Sequence, residues 1–130
     1  MFCADTSSWV AYLSGEPGND VEMMDISLRD RLIWMSPVVL AELLSNPLLP
    51  QTAEASILAI PLLDIAPGFW QRVGKTRASL IKWKCKPKLE DTMIAQVCID
   101  HKIPLHARDT DFRPFAKYAR LQLVLHELVN

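Results

Sequence analysis

The sequence predicts an α/β fold with a mostly parallel sheet. Short apolar runs at Phe2–Ala4, Leu32–Met35, Ile103–Ala107 and Leu121–Val124 alternate with longer stretches of helical periodicity. At 130 residues, half of them apolar, the chain is expected to form one domain over 1–130 with its own core. No internal repeat, low-complexity segment or linker interrupts it.

Phe2-Cys3-Ala4 ends at Asp5. Behind it come Thr6, Ser7 and Ser8, and then Trp9, Val10 and Leu13 at helical spacing, which reads as strand, turn, helix. After a loop at Gly15–Asn19, a second helix is expected from about Val21 to Arg31, its charges outward. Leu32–Met35 reads as a strand. Ser36-Pro37 supplies an N-cap and a first-turn proline for the next helix, which carries Glu42 and ends before Pro47. Further helices are expected at Gln51–Ala59, Phe69 to about Trp83, Glu90–His101 and around Phe112–Ala116. A short strand is expected at Pro61–Ile65, and Leu121–Val124 closes the chain as the last strand.

The net charge of -1 gives no overall electrostatic reason to expect a nucleic-acid partner. The distribution says more. Arg72, Lys75, Arg77, Lys82, Lys84, Lys86 and Lys88 fall in a stretch without Asp or Glu between Asp64 and Glu90. That stretch is either a phosphate-holding surface or a solvated helix face and loop. Cys3, Cys85 and Cys98 have no metal-like spacing, Cys3 and Cys98 lie inside apolar segments, and they read as small core residues of a reduced, intracellular protein. A basic leader and a membrane-length apolar run are both absent, so a cytoplasmic location and no membrane partner are expected.

Four carboxylates, Asp5, Glu42, Asp91 and Asp109, stand in or beside apolar runs, most without a basic neighbour. Unpaired buried anions are costly, so a divalent cation is the natural compensation. Asp5 and Asp109 fall at the C-terminal ends of expected strands, where open α/β sheets place ligands, although either acid can also serve as a turn former or helix cap. Glu42 lies within Val38-Val39-Leu40-Ala41-Glu42-Leu43-Leu44 and shares the stripe of Val38 and Val39. It therefore reads as inward-facing, the alternative being a solvent-facing Glu. Asp91 heads a stripe of Ile94, Ala95 and Cys98, a place that suits metal binding and the helix macrodipole alike. Asp111 is read as a cap of the next short helix with a secondary ligand role. Oxygen donors without suitably spaced His or Cys favour Mg²⁺ or Mn²⁺ over Zn²⁺, leaving His101, His106 and His126 structural or exposed. Such an ion activates water for phosphodiester cleavage without a Ser, Cys or His nucleophile. Neither a P-loop, a dinucleotide fingerprint nor a nucleophile elbow is present.

Asp5-Thr6, Ser36-Pro37-Val38-Val39-Leu40-Ala41-Glu42-Leu43, Leu89-Glu90-Asp91-Thr92-Met93-Ile94-Ala95 and Arg108-Asp109-Thr110-Asp111-Phe112, taken in order, resemble the PIN-domain ribonucleases. Among these the chain is most similar to the VapC-type toxins. The resemblance implies a PIN-like three-layer α/β/α sandwich and a Mg²⁺- or Mn²⁺-dependent endoribonuclease with ligands at Asp5, Glu42, Asp91 and Asp109. It also implies a toxin that forms a homodimer and is neutralised by a VapB-like antitoxin in the active-site groove. Ala107 stands where family members often carry Thr or Ser, removing a hydroxyl near the last acid.

Arg108 is expected either to contact phosphate or to pair with Asp111 or Glu90. Trp9, Tyr12, Trp34, Trp70 and Trp83 are expected mostly in the core, with interface anchoring the other role. A rival reading keeps the scaffold as a non-catalytic PIN-like module that binds RNA or a protein partner. A phosphatase reading is weaker, because its paired aspartates belong after the first strand.

Overall fold

In the computed structural model, which describes residues 1–126, β1 (Phe2–Ala4) leads through α1 (Thr6–Leu13) and α2 (Asn19–Arg29) to β2 (Ile33–Trp34). Next come α3 (Pro37–Leu44), α4 (Gln51–Leu58), α5 (Phe69–Lys82) and α6 (Leu89–His101). The chain returns in β3 (Leu105–Ala107), makes a 3₁₀ turn at Thr110–Phe112, and continues in α7 (Arg113–Tyr118) and β4 (Leu123–Leu125). The sheet is all-parallel in the order β2-β1-β3-β4, with Cys3 opposite Trp34 on one side and Leu105 on the other. Parallel neighbours require long crossovers, so helices cover the faces: α1 packs on β1 and β3, α2 on β2, and α5 against α6. The architecture is a three-layer α/β/α sandwich. No described helix is long and apolar enough to cross a membrane.

β1 is buried at all three residues because it is paired on both edges and covered on its faces, which suits its unbroken apolar run. Trp9, Phe69, Phe112 and Phe115 fill the core around it. Cys3 and Cys98 lie fully buried as free thiols, in the core role expected of them. Pro61–Ile65 is not a strand: only Leu62 bridges, to Met35, as the sheet is already ended at β2 by a two-residue strand. Ser36 holds the backbone geometry of an N-cap while its Oγ finds no partner among the described residues. The aromatic expectation divides. Trp9 is buried, whereas Trp70 and Trp83 are 64% and 60% exposed, because Trp70 within α5 and Trp83 at its C-cap lie off its buried Phe69, Val73 and Leu80 face.

His106 on β3 packs against Phe2 and makes a 2.9 Å Nδ1···Nε2 contact with His126. Such a bond needs a lone pair, so at least one ring is neutral. Burial, and then the neighbouring His126, push the His106 imidazole down to about 4. From about pH 6.5 to about 4 the unfolded chain therefore binds more protons than the folded one, and His106 costs the fold stability as pH falls. His106→Gln is expected to remove about 2 kcal/mol of that acid sensitivity, measured as the difference between thermal melts at neutral pH and near pH 4.5.

Candidate metal centre

The chain runs from β1 to β2 on one side of the sheet and enters β3 on the other, so a crevice opens at the C-terminal edge between β1 and β3. Asp5 follows β1 immediately and its N–H donates to the His106 carbonyl at 2.8 Å, locking it to the neighbouring strand. Its carboxylate caps α1, accepting from Ser7 Oγ at 2.8 Å and from the Ser7 N–H at 3.3 Å. Ser7 Oγ in turn accepts the Arg108 N–H at 3.2 Å, tying the two strand ends together. Asp109 caps the 3₁₀ turn, its Oδ1 accepting the Asp111 N–H at 2.8 Å. Both strand-end acids are thus caps and crevice residues at once. Local capping leaves the remaining carboxylate lone pairs free for another ligand.

α6 delivers Asp91 in its first turn, with Ile94, Ala95 and Cys98 of the same stripe buried. Asp91, Asp109 and Asp111 can each bring a carboxylate oxygen within 4.8 Å of the others. Asp5 joins their field. Its carboxyl is raised by burial against the opposing pull of Ser7, with the Asp109 charge adding to the rise. Burial, then the charges of Asp109 and Asp5, push Asp91 up to about 6, and Lys88 offsets only part of this. Lys88 approaches Asp111 at 3.9 Å. The donors are oxygen alone: His101 bonds the Asp64 carbonyl and His106 bonds His126. Mutually repelling carboxylates at this spacing fit a hard divalent cation such as Mg²⁺ or Mn²⁺.

Glu42 departs from the expected placement. It is exposed, because α3 buries Val39 and Leu43 one turn apart, and Glu42 is a residue out of phase with that stripe. Thr6 Oγ1 donates to Glu42 Oε1 at 2.9 Å, so the first residue of α1 links it to the Asp5 end of the crevice. Arg108 also departs: it faces neither Asp111 nor Glu90. Its guanidinium grips buried Asp20 through Nε–Oδ2 (2.7 Å) and Nη2–Oδ1 (2.9 Å), and reaches Glu16 at 3.3 Å. Asp20, placed outside the expected second helix, is 1% exposed and also accepts from Ser8 Oγ at 2.8 Å. Burial raises its carboxyl, but the Arg108, Ser8 and Val21 donors outweigh that and hold it at about 2.

Arg72 does not serve the crevice either. It clamps Asp100 at 2.7 and 3.0 Å near the far end of α6, nine residues and about 13 Å from Asp91. The end of the basic stretch does serve it: Lys86 and Lys88 line a basin of about 250 Å³ together with Asp91, Asp111, Thr110 and Pro114. Ser7, Thr6 and Lys88 are the supporting residues. The hydroxyl run after Asp5 was the sequence signal for the first two, and the basic stretch ending at Lys88 for the third. With Ala107 buried at the end of β3, Ser7 supplies the hydroxyl that reaches Asp5 and Thr6 the one that reaches Glu42. A larger cavity of about 620 Å³, between α1, α2 and α4, is lined by Trp9, Tyr12, Leu28 and Ile57 and contains none of these carboxylates.

A family model for the PIN domain matches residues 2–119. Among curated proteins no sequence match was found. Similar solved structures include VapBC2 from Rickettsia felis bound to a promoter DNA fragment, at 18% identity and a TM-score of 0.76, covering 97% of this chain and 98% of that one. DNA-bound VapBC from Salmonella typhimurium gives 18% identity and a TM-score of 0.73, covering 95% of this chain and 96% of that one. FitAcB from Neisseria gonorrhoeae gives 19% identity and a TM-score of 0.67 with the same two coverages, 95% and 96%.

Proposed function

From the premise that this chain belongs to the PIN domain family, we propose that it is a Mg²⁺- or Mn²⁺-dependent endoribonuclease, the toxin of a VapBC-type toxin-antitoxin pair. The observation that carries the reading is the convergence of Asp91, Asp109 and Asp111, within reach of Asp5, at the sheet edge beside Lys86 and Lys88. Asp5, Asp91, Asp109 and Asp111 would hold the ion, with Glu42 completing the acid set from α3. The chemistry such an ion supplies when bound is Lewis acidity toward a phosphoryl oxygen and acidification of water.

The chain's own residues do the positioning. Ser7 fixes the Asp5 carboxylate and Thr6 fixes Glu42, so neither acid must be ordered when substrate arrives. Lys86 and Lys88 attract the phosphate backbone to a basin that is otherwise anionic. Burial and mutual repulsion keep Asp91 poised to take up a proton or a cation near neutral pH.

An antitoxin that silences the site by occupying it must offer a cation to these acids and apolar side chains beside them. The basin next to Glu42, lined by Val10, Leu49 and Pro50, suits the apolar part. The VapBC and FitAcB names of the similar structures support a VapB-like partner of that kind, and the toxin reading carries with it the expected homodimer.

The first test is thermal. Titrating Mg²⁺ or Mn²⁺ is expected to raise the melting temperature, by mass action worth about 2.7 kcal/mol at a hundredfold excess over Kd. The gain is expected to shrink as pH falls through about 6, where Asp91 takes up a proton. A non-catalytic docking module need show no such metal-linked rise. Incubation of wild type, Asp5→Asn and Asp91→Asn with varied RNAs and either metal then tests cleavage, and equal cleavage by all three ends the assignment.

A further inference from the structure

We propose that Trp83 and Tyr118 form a nucleobase-stacking platform beside the acid centre, on whose open indole face an unpaired base of the RNA substrate stacks. The inference rests on the ribonuclease reading of that centre. The two rings lie 5.3 Å apart and 8° from parallel, although 35 positions separate them in the chain. Tyr118 covers one face of the indole. At 60% exposure Trp83 leaves its other face open to solvent and accessible to a second planar ring.

The position ties the platform to the site. Pro114 lines the basin with Asp91 and Asp111, and Tyr118 follows it by one turn of α7, about 6 Å along the axis. Cys85, two residues beyond Trp83, lines the same basin. The two rings thus sit two residues and one helical turn, respectively, from residues that line the acid basin.

The surrounding charge selects the occupant. Lys82, Lys84 and Lys86 are exposed and make no ion pair among the described residues. Lys117 holds its ammonium 5.2 Å from the Tyr118 ring centroid. Flat aromatic surface interleaved with lysines matches a polyanion carrying unpaired bases. A duplex hides those faces, and an apolar protein partner would leave the lysines unmatched.

The test uses the purified full chain and a labelled mixed-sequence oligoribonucleotide of about ten nucleotides, the middle of the range a stacking groove holds. Binding is measured in EDTA, and cleavage separately with Mg²⁺ or Mn²⁺. Trp83→Ala is expected to weaken binding about tenfold and to raise KM by more than it lowers kcat, whereas Trp83→Phe retains most of the affinity. Quenching of tryptophan emission by the oligonucleotide is expected in wild type and not in Trp83→Phe. A base-paired version of the same sequence is expected to bind without that quenching.

Equal binding by wild type and Trp83→Ala overturns the proposal. So does loss of self-association in Trp83→Ala with RNA affinity intact, which would make the platform a contact between copies. Quenching without cleavage would instead retain the platform and remove the ribonuclease reading.

Discussion

Asp91→Asn is expected to lower metal-dependent RNA cleavage by about a thousandfold, the cost of several kcal/mol of lost transition-state stabilisation. The same substitution is expected to make the metal-free protein more stable. Asp91 is held at about 6 by burial and by Asp109 and Asp5, so at pH 7 it is an anion in a place that disfavours one. The sign follows from linkage: a carboxylate whose folded pKa is raised destabilises the fold fully above about 6, and the penalty shrinks as pH falls from there toward the unfolded value near 3.8. Because Asp91 is partly exposed, screening reduces the gain to about 1–2 kcal/mol. Paired measurements decide the matter: initial cleavage rates in Mg²⁺ or Mn²⁺, and melts in EDTA at pH 7.5 and 5. A variant that loses both activity and metal-free stability would indicate a structural role for Asp91.

Arg108→Ala is expected to destabilise the fold by about 3–5 kcal/mol, because it strips the cation from an Asp20 that remains buried. Asp20 binds α2 to the end of β3 through Arg108 and to α1 through Ser8, so three elements loosen together. The pH dependence is also specific. A carboxylate held at about 2 stabilises the fold above its unfolded value, and that contribution is lost as pH falls from about 4 toward about 2. The gap between wild type and Arg108→Ala in urea denaturation should accordingly narrow on acidification. Asp20→Asn combined with Arg108→Ala should recover part of the loss, as removing both charges leaves no unpaired ion. A gap that is constant with pH would show that packing, and not the ion pair, sets the cost.

The strand-end acids were legible in the sequence because each closes a short apolar run, a pattern contained within a few residues. Asp91 was legible for a similar reason, as the head of a stripe read at helical spacing. Glu42 was not. In Val38–Leu44 nearly every position is apolar, so the pattern has no polar face to set the helix phase, and burial of Val39 and Leu43 turned Glu42 outward. The partner of Arg108 was equally hidden, since Asp20 lies 88 positions away and the nearer acids Glu90 and Asp111 were the visible choices. Trp83 read as core for want of any local sign that α5 would bury Phe69, Val73 and Leu80 instead.

The sequence by itself determined the α/β class, the alternation of strands and helices, and the identity of the acids available at the sheet edge. Short-range periodicity and capping chemistry encode all of these. Tertiary structure decided which acids share a volume and which basic residues face them. Parallel register sets Asp5 beside the end of β3, and helix packing brings Asp91 to Asp109 and Asp111 while carrying Arg72 to the other end of α6. A pattern a few residues long has no information about distances between positions 5, 91 and 109. Those distances exist only once burial of the common core has fixed how the strands and helices pack.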